Sequence, residues 1–365
     1  MLKDEYTQTQ LITYIGNKRK LLNHIEKEVI DIKKKLKKHL IRSFDGFSGS
    51  GSVSRLLKYH SSELIVNDLE EYSYILNNCY LSNPPDEKVQ KINEMIDELN
   101  DLEYNIEGPI SRYYSPKDTY NVLEEERAFY TRENASIIDT IRRKIDTYPK
   151  EYFNYLMAPL LVKSSINTNT SGVFKGFHKK NGVGHFGGKD EVNKESRITK
   201  KIVLDKPIFS DHGHQCSVSI YRKDINILIE ELPDVDIAYL DPPYNQHPYG
   251  SNYFMLNTIL KNKIEEDISK VSGIPKNWNR SDYNYKKTAL NSMRELISNI
   301  KARYIIMSYN NEGIITEDQM IGLITELNYK YELKKITYNA YRGSRNLKDR
   351  DTMVEEYLWI ITKFE

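Results

Sequence analysis

At 365 residues the chain is long for one domain and short for three, and 39% apolar with 29% charged residues describes an ordinary soluble globular protein. Lysine plus arginine (53) nearly balance aspartate plus glutamate (52), which excludes a globally basic nucleic-acid binder and leaves that role to local patches. Two cysteines, Cys79 and Cys216, exclude a disulfide framework and a four-thiolate zinc site. Met1–Gln10 lacks the apolar core of a signal peptide, and no apolar run approaches the roughly 20 residues that cross a bilayer, so a cytoplasmic protein without membrane contact is expected.

In chain order, Thr13–Asn17 reads as a loop feeding a helix through Lys18–Lys38, with the Lys33–Lys38 run as its solvated end. A strand over Leu40–Phe44 leads into a glycine-rich turn and a helix from Ser52 to about His60. A short strand, Leu64–Val66, ends in Asn67–Asp68 and precedes another helix. This alternation predicts a mostly parallel α/β sheet. From Ser82 to Ile198 the chain becomes charged, tyrosine-rich and largely helical, then glycine-rich. Strands resume at Ser217–Tyr221, Val235–Leu240 and Arg303–Ser308, and Tyr331–Tyr338 with Glu356–Lys363 forms a hairpin-like pair around a long loop. The economical reading is one α/β domain, residues 1–81 and 205–365, interrupted by an inserted region at 82–204.

Two segments carry chemistry. Asp241, Pro242, Pro243 and Tyr244 follow the apolar run Val235–Leu240, at the carboxyl end of a buried strand. The prolines lack N–H donors, so the loop offers carbonyl acceptors. Asp241 adds a carboxylate and Tyr244 a stacking face, which suits a flat ring bearing an amino group. The second segment, Phe44-Asp45-Gly46-Phe47-Ser48-Gly49-Ser50-Gly51, links a strand to a helix N-terminus, where glycines let the backbone approach a ligand. Taken alone it is equally a structural turn, or a dinucleotide site with Asp68 on ribose, although Ser54 holds the third glycine position. Asp45, Asp68 and Asp241 all fall at carboxyl ends of predicted parallel strands, where open α/β sheets bind ligands.

The order of Tyr14-Ile15-Gly16-Asn17-Lys18, the Asp45–Gly51 turn, Asn67-Asp68 and Asp241–Tyr244 resembles the N6-adenine-specific DNA methyltransferases of the alpha-order, D12 type. Ile306–Gly313 resembles a late strand-and-loop motif of the same enzymes. The resemblance implies a Rossmann-like methyltransferase sheet with helices on both faces, S-adenosyl-L-methionine as cofactor, and an inserted, mostly helical target-recognition domain. It implies Asp241, Pro242, Pro243 and Tyr244 as catalytic residues. Tyr14, Gly16, Lys18, Asp45 and Asp241 would border the cofactor, Phe47, Ser48, Gly49, Ser50 and Gly51 its methionine part, Asp68 its ribose and Asp224 its adenine. Asn17 departs from the usual G-G-K of that loop. Double-stranded DNA is the implied partner, with a cognate restriction endonuclease as a further one.

The stretch Gly172–Lys206 carries nine lysines or arginines against four acids, and is the expected DNA contact through Lys175, Lys179 and Lys180. Asn169, which opens it, reads as a residue that reaches into a groove or equally as a cap and turn, and Arg342 and Arg345 form a second basic cluster of expected DNA contacts. Neither cysteine follows a proline, which argues against the covalent chemistry of C5-cytosine methyltransferases. Asp211, His212 and His214 near Cys216 read as a turn, and no metal is assigned. Rival readings keep the chemistry on another acceptor (cytosine N4, ribosomal RNA adenine, a glutamine amide), or make the chain a dinucleotide-dependent oxidoreductase or a regulator without catalysis.

Overall fold

A computed structural model of the chain describes residues 5–187, 196–210, 216–339 and 353–363. Its centre is a seven-stranded sheet. In chain order the strands are β1 (Ile41–Asp45), β2 (Ser61–Asn67), a small separate ribbon of β3 (Lys179–Lys180) and β4 (Val183–Gly184), β5 (Ser217–Tyr221), β6 (Val235–Leu240), β7 (Ala302–Asn310), β8 (Lys330–Asn339) and β9 (Met353–Thr362). The sheet runs β5-β2-β1-β6-β7-β9-β8. Its first five strands are parallel neighbours, and β9 lies antiparallel to both β7 and β8. The order reverses between β1 and β6, so a crevice opens beyond their carboxyl ends.

Strand β6 is buried throughout, as expected where helices cover both faces. Ala238 and Leu240 pack on one side with the helices Ile225–Glu231, Ala289–Asn299 and Glu317–Glu326. Ile237 and Tyr239 pack on the other with Leu22–Leu36 and Ser52–His60. The one charged residue of this strand, Asp236, sits at its amino end, where its carboxylate accepts from Lys38 Nζ at 2.7 Å and Arg42 N at 3.0 Å. Lys38 therefore does more than end a solvated helix.

The expected helix from Lys18 starts as a 3-10 turn, Lys18–Leu21, and becomes α-helical at Leu22. Asn17 explains the change: its Oδ1 accepts from Arg19 N at 2.9 Å and caps that turn. Between β2 and β5 the helices Asp86–Asn100, Arg132–Ile145 and Phe153–Ile166 form a third core. Ile92, Ile138 and Leu160 pack there with Tyr72 and Leu76 of the helix Glu71–Tyr80, and with Phe254 and Leu256 beyond β6. The glycine-rich stretch read as a loop is turn and loop over most of its described part and carries the short β3–β4 ribbon. Asp211, His212 and His214 lie outside the described residues, as do Arg342 and Arg345. No helix among the described residues is long and apolar enough to cross a membrane.

Candidate active site

Strand geometry brings the motifs together. Register pairs Asp45 at the end of β1 with Val66 on β2 and Tyr239 on β6, so Asp45, Asp68 and Asp241 emerge side by side. The turn after β1 closes on itself through glycines: Gly49 and Gly51 adopt φ of 51° and 74°, a region costly for other residues. A Cβ on Gly49 would fall 2.7 Å from the Tyr14 ring, and one on Gly51 2.5 Å from Asn77 Oδ1. Asp68 ties this turn to β2. Its Oδ2 accepts from Gly49 N at 2.7 Å and its Oδ1 from Glu70 N at 2.8 Å.

Two adjoining cavities occupy the crevice. The larger, about 670 Å³ and open to solvent, is lined by Asp68, Glu70, Asp224, Ile225, Asp241 and Pro243, among others. The smaller, about 300 Å³, is lined by Gly16, Lys18, Asp45, Ser48, Gly49 and Ser50. Tyr14, Phe47 and Asp241 border both. Tyr14 is held by stacking on Tyr249 and Tyr253, with ring centroids 5.0 and 4.8 Å away. Asp224 also caps the following helix, accepting from Asn226 N at 2.9 Å. Gly51 is the N-cap of the helix Ser52–His60 and lines neither cavity.

The crevice is acidic. Burial pushes Asp45 up to about 7, opposed by a 2.5 Å hydrogen bond from Ser54 Oγ and reinforced by the charges of Asp241 and Asp68. Burial likewise takes Glu70 to about 7 and raises Asp68, whose hydrogen bonds oppose the shift. Asp241 is pushed up to about 6 by burial, against the attraction of Lys18 and with the repulsion of Glu356. Lys18, 4% exposed, sits between two carboxylates: Nζ is 3.0 Å from Asp241 Oδ1 and 2.9 Å from Glu356 Oε1. Burial works against the ammonium, but these two charges hold its pKa well above the usual lysine value.

Tyr244 borders neither cavity. Its ring stands edge-on to Tyr309, with Lys18 Nζ 5.9 Å from its centroid, and its carbonyl accepts from Ile314 N. The loop it belongs to is braced by Asn284, whose Nδ2 donates to the Asn245 carbonyl at 2.7 Å. Asn279, Ser281, Tyr283 and Asn284 come from the stretch between β6 and β7 and close one side of the larger cavity. No sequence pattern singles out these residues, nor Tyr249 and Glu70; Glu356 is the second of two acids that precede the apolar run 357–361 of β9.

The basic stretch packs against the chain that follows the Asp241–Tyr244 loop. Lys175 Nζ lies 3.1 Å from His247 Nδ1, Ser272 Oγ donates to the Lys175 carbonyl, and Phe174 N donates to the Asn252 carbonyl. Lys179 and Lys180 are exposed. Asn169 is different. It is fully buried, and its Nδ2 donates to the carbonyls of Ala128 and His185, so it anchors the ribbon and does not reach a partner.

A glycine turn, an acid on the neighbouring strand and the Asp241–Tyr244 loop thus meet at the carboxyl ends of neighbouring parallel strands. The model of the D12 class N6 adenine-specific DNA methyltransferases matches residues 14–323, and the chain belongs to that family. It is 31% identical to the type II methyltransferase M.CviAII of Paramecium bursaria Chlorella virus 1, over 96% of this chain and 98% of that one. It is 30% identical to the type II methyltransferase M.NlaIII of Neisseria lactamica, over 96% and 99%. The type II methyltransferase M.FokI of Planomicrobium okeanokoites matches at 30% over 96% of this chain and 52% of its own length.

The donor set fits the expected cofactor. Asp45 Oδ1 is buried without a hydrogen-bond partner and borders the smaller cavity, where a cationic amino group would satisfy it. Asp68 and Glu70 border the larger one, as ribose hydroxyls require.

Proposed function

We propose that the chain methylates the N6 atom of adenine in double-stranded DNA, as the modification enzyme of a restriction-modification system. Membership of the family and the type II names of its relatives support this reading. The observation that carries it is Asp241, which borders both cavities and heads the loop of Pro242, Pro243 and Tyr244.

S-adenosylmethionine, when bound, supplies an electrophilic methyl group on a cationic sulfur. Asp45, Gly16 and the turn residues Phe47, Ser48, Gly49 and Ser50 would hold its methionine part, Asp68 its ribose and Asp224 with Ile225 its base. Adenine N6 is a poor nucleophile because its lone pair is delocalised into the ring. With Oδ1 engaged by Lys18, Asp241 Oδ2 and the Pro242 carbonyl accept the two N6 hydrogens and make the nitrogen more pyramidal. The lone pair then forms the N–C bond as the S–C bond breaks with its electrons left on sulfur. The surplus N6 proton passes to Asp241 and on to water. Positioning and preorganised charge supply the acceleration.

A base inside a duplex cannot reach this crevice, so the target is flipped out and stacks on Tyr244. The 82–204 region would read the sequence, with Lys175, Lys179 and Lys180 on phosphates. Tritiated S-adenosylmethionine, unmethylated genomic DNA and nucleoside mass spectrometry test the proposal, with Asp241→Ala beside wild type. N6-methyladenine from wild type alone supports it. Label in N4-methylcytosine moves the acceptor, and label in RNA or protein replaces DNA.

A further inference from the structure

Glu356 is 1% exposed on β9, opposite Asn310 of β7 and Ile336 of β8. Its neighbours on the same face, Leu358 and Ile360, lie in the apolar core with Tyr239 and Ile306. A carboxylate there is costly to bury unless it is paired. Lys18 pairs it, yet Lys18 already has a partner in Asp241. One ammonium thus serves two carboxylates, one of which borders both cavities.

Taking Asp241 as the acceptor proposed above, we propose that Glu356 is a positioning residue for methyl transfer. It shares Lys18 with Asp241, so that Asp241 stays a strong hydrogen-bond acceptor. Without Glu356, the ammonium would lean wholly on Asp241 and neutralise it. The groups facing Asp241 are Lys18 from the N-terminal turn, Glu356 from β9, Asp45 from β1, Tyr239 from its own strand, and Tyr244 and Tyr249 from the loop and helix beyond. Glu312 stands behind Tyr244. Of the carboxylates among these, Glu356 is the one that shares the Lys18 ammonium with Asp241.

The test compares wild type, Glu356→Gln and Glu356→Asp in single-turnover transfer from tritiated S-adenosylmethionine to unmethylated DNA, across about pH 5 to 9. Cofactor affinity by calorimetry and thermal unfolding run alongside. Glu356→Gln is expected to lose about tenfold to a hundredfold in transfer rate and distinctly less in cofactor affinity. Its acid limb should move to lower pH, because the like charge that raises Asp241 is gone. A purely structural role would lower the melting temperature and leave the limb in place, and that result overturns the proposal. If Glu356→Gln does not fold, Glu356→Asp decides: its shorter arm should slow transfer and shift the limb part of the way, and a wild-type rate and limb overturn the role. Wild type that binds cofactor and methylates no DNA would remove the reading of Asp241 and this proposal together. An active wild type with an unmoved limb in the variants removes only Glu356.

Discussion

The amide of Gly49 donates to Asp68 Oδ2 at 2.7 Å, so the turn after β1 and the acid after β2 are one unit. Because Asp68 also accepts from Glu70 N, it orders the crevice before any ligand arrives. Gly49→Ala should be costly on two grounds, a positive φ and a Cβ 2.7 Å from the Tyr14 ring. We expect a loss of about 1–3 kcal/mol in stability. S-adenosylmethionine should bind at least tenfold more weakly, read by calorimetry beside thermal unfolding. Full retention of affinity would mean that Tyr14 yields without disturbing the cavity.

The buried acids set an unusual pH response. Asp45 near 7 and Asp241 near 6 are both above the ordinary carboxylate value, so between about pH 4 and 7 the folded chain binds more protons than the unfolded one. Their contribution to stability is complete below the unfolded pKa and is lost as pH rises through the folded values. The depressed surface acids Asp31, Glu87 and Glu317 stay ionised above about pH 5 and do not oppose this. The ligand-free protein should therefore melt higher at about pH 5.5 than at about pH 7.5.

Activity follows the opposite sense. On the mechanism proposed above transfer requires ionised Asp241, so the rate should fall below about pH 6. A cationic amino group on Asp45 favours its carboxylate, so cofactor binding near neutrality should expel protons. Calorimetry in buffers of different ionisation heat measures that release directly, and proton uptake would exclude Asp45 as the partner.

Tyr244 stands outside both cofactor cavities, which separates its role from cofactor binding. Tyr244→Ala should cripple turnover with cofactor affinity nearly unchanged, while Tyr244→Phe keeps most of the activity. The stacking at stake is worth roughly 1–3 kcal/mol. Equal, near-complete loss in both variants would point to the hydroxyl instead.

The ribbon is testable through salt. Replacing Lys175, Lys179 and Lys180 by alanine should weaken DNA binding uniformly across sequences and flatten the plot of log affinity against log salt. Each lost phosphate contact accounts for roughly 0.9 of slope. A slope equal to wild type would take this face out of the DNA interface.

The strands of the sheet and the acids at their ends were legible because a buried parallel strand announces itself as an apolar run, and its last residue points into the crevice. Ser217–Tyr221 and Val235–Leu240 match the structure to the residue, whereas Leu64–Val66 misses the first three residues of Ser61–Asn67. Less legible was whatever depends on distant chain. Glu356 meets Lys18 only because β9 inserts between β7 and β8, and no local pattern encodes that pairing. Asn279, Ser281 and Asn284 come from a stretch without periodicity, and Asn169 looked like a groove-reaching residue because a buried amide that braces two carbonyls has no sequence signature.

The third core has a practical consequence. Ile92, Ile138 and Leu160 share it with Tyr72 and Leu76, which follow Asp68, and with Phe254 and Leu256, which follow the Asp241–Tyr244 loop. The segment between β2 and β5 is thus no cassette that can be lifted onto another enzyme at its two ends. A chimera that exchanges it must carry the helices Glu71–Tyr80 and Phe254–Lys261 along, and with them the walls of the crevice.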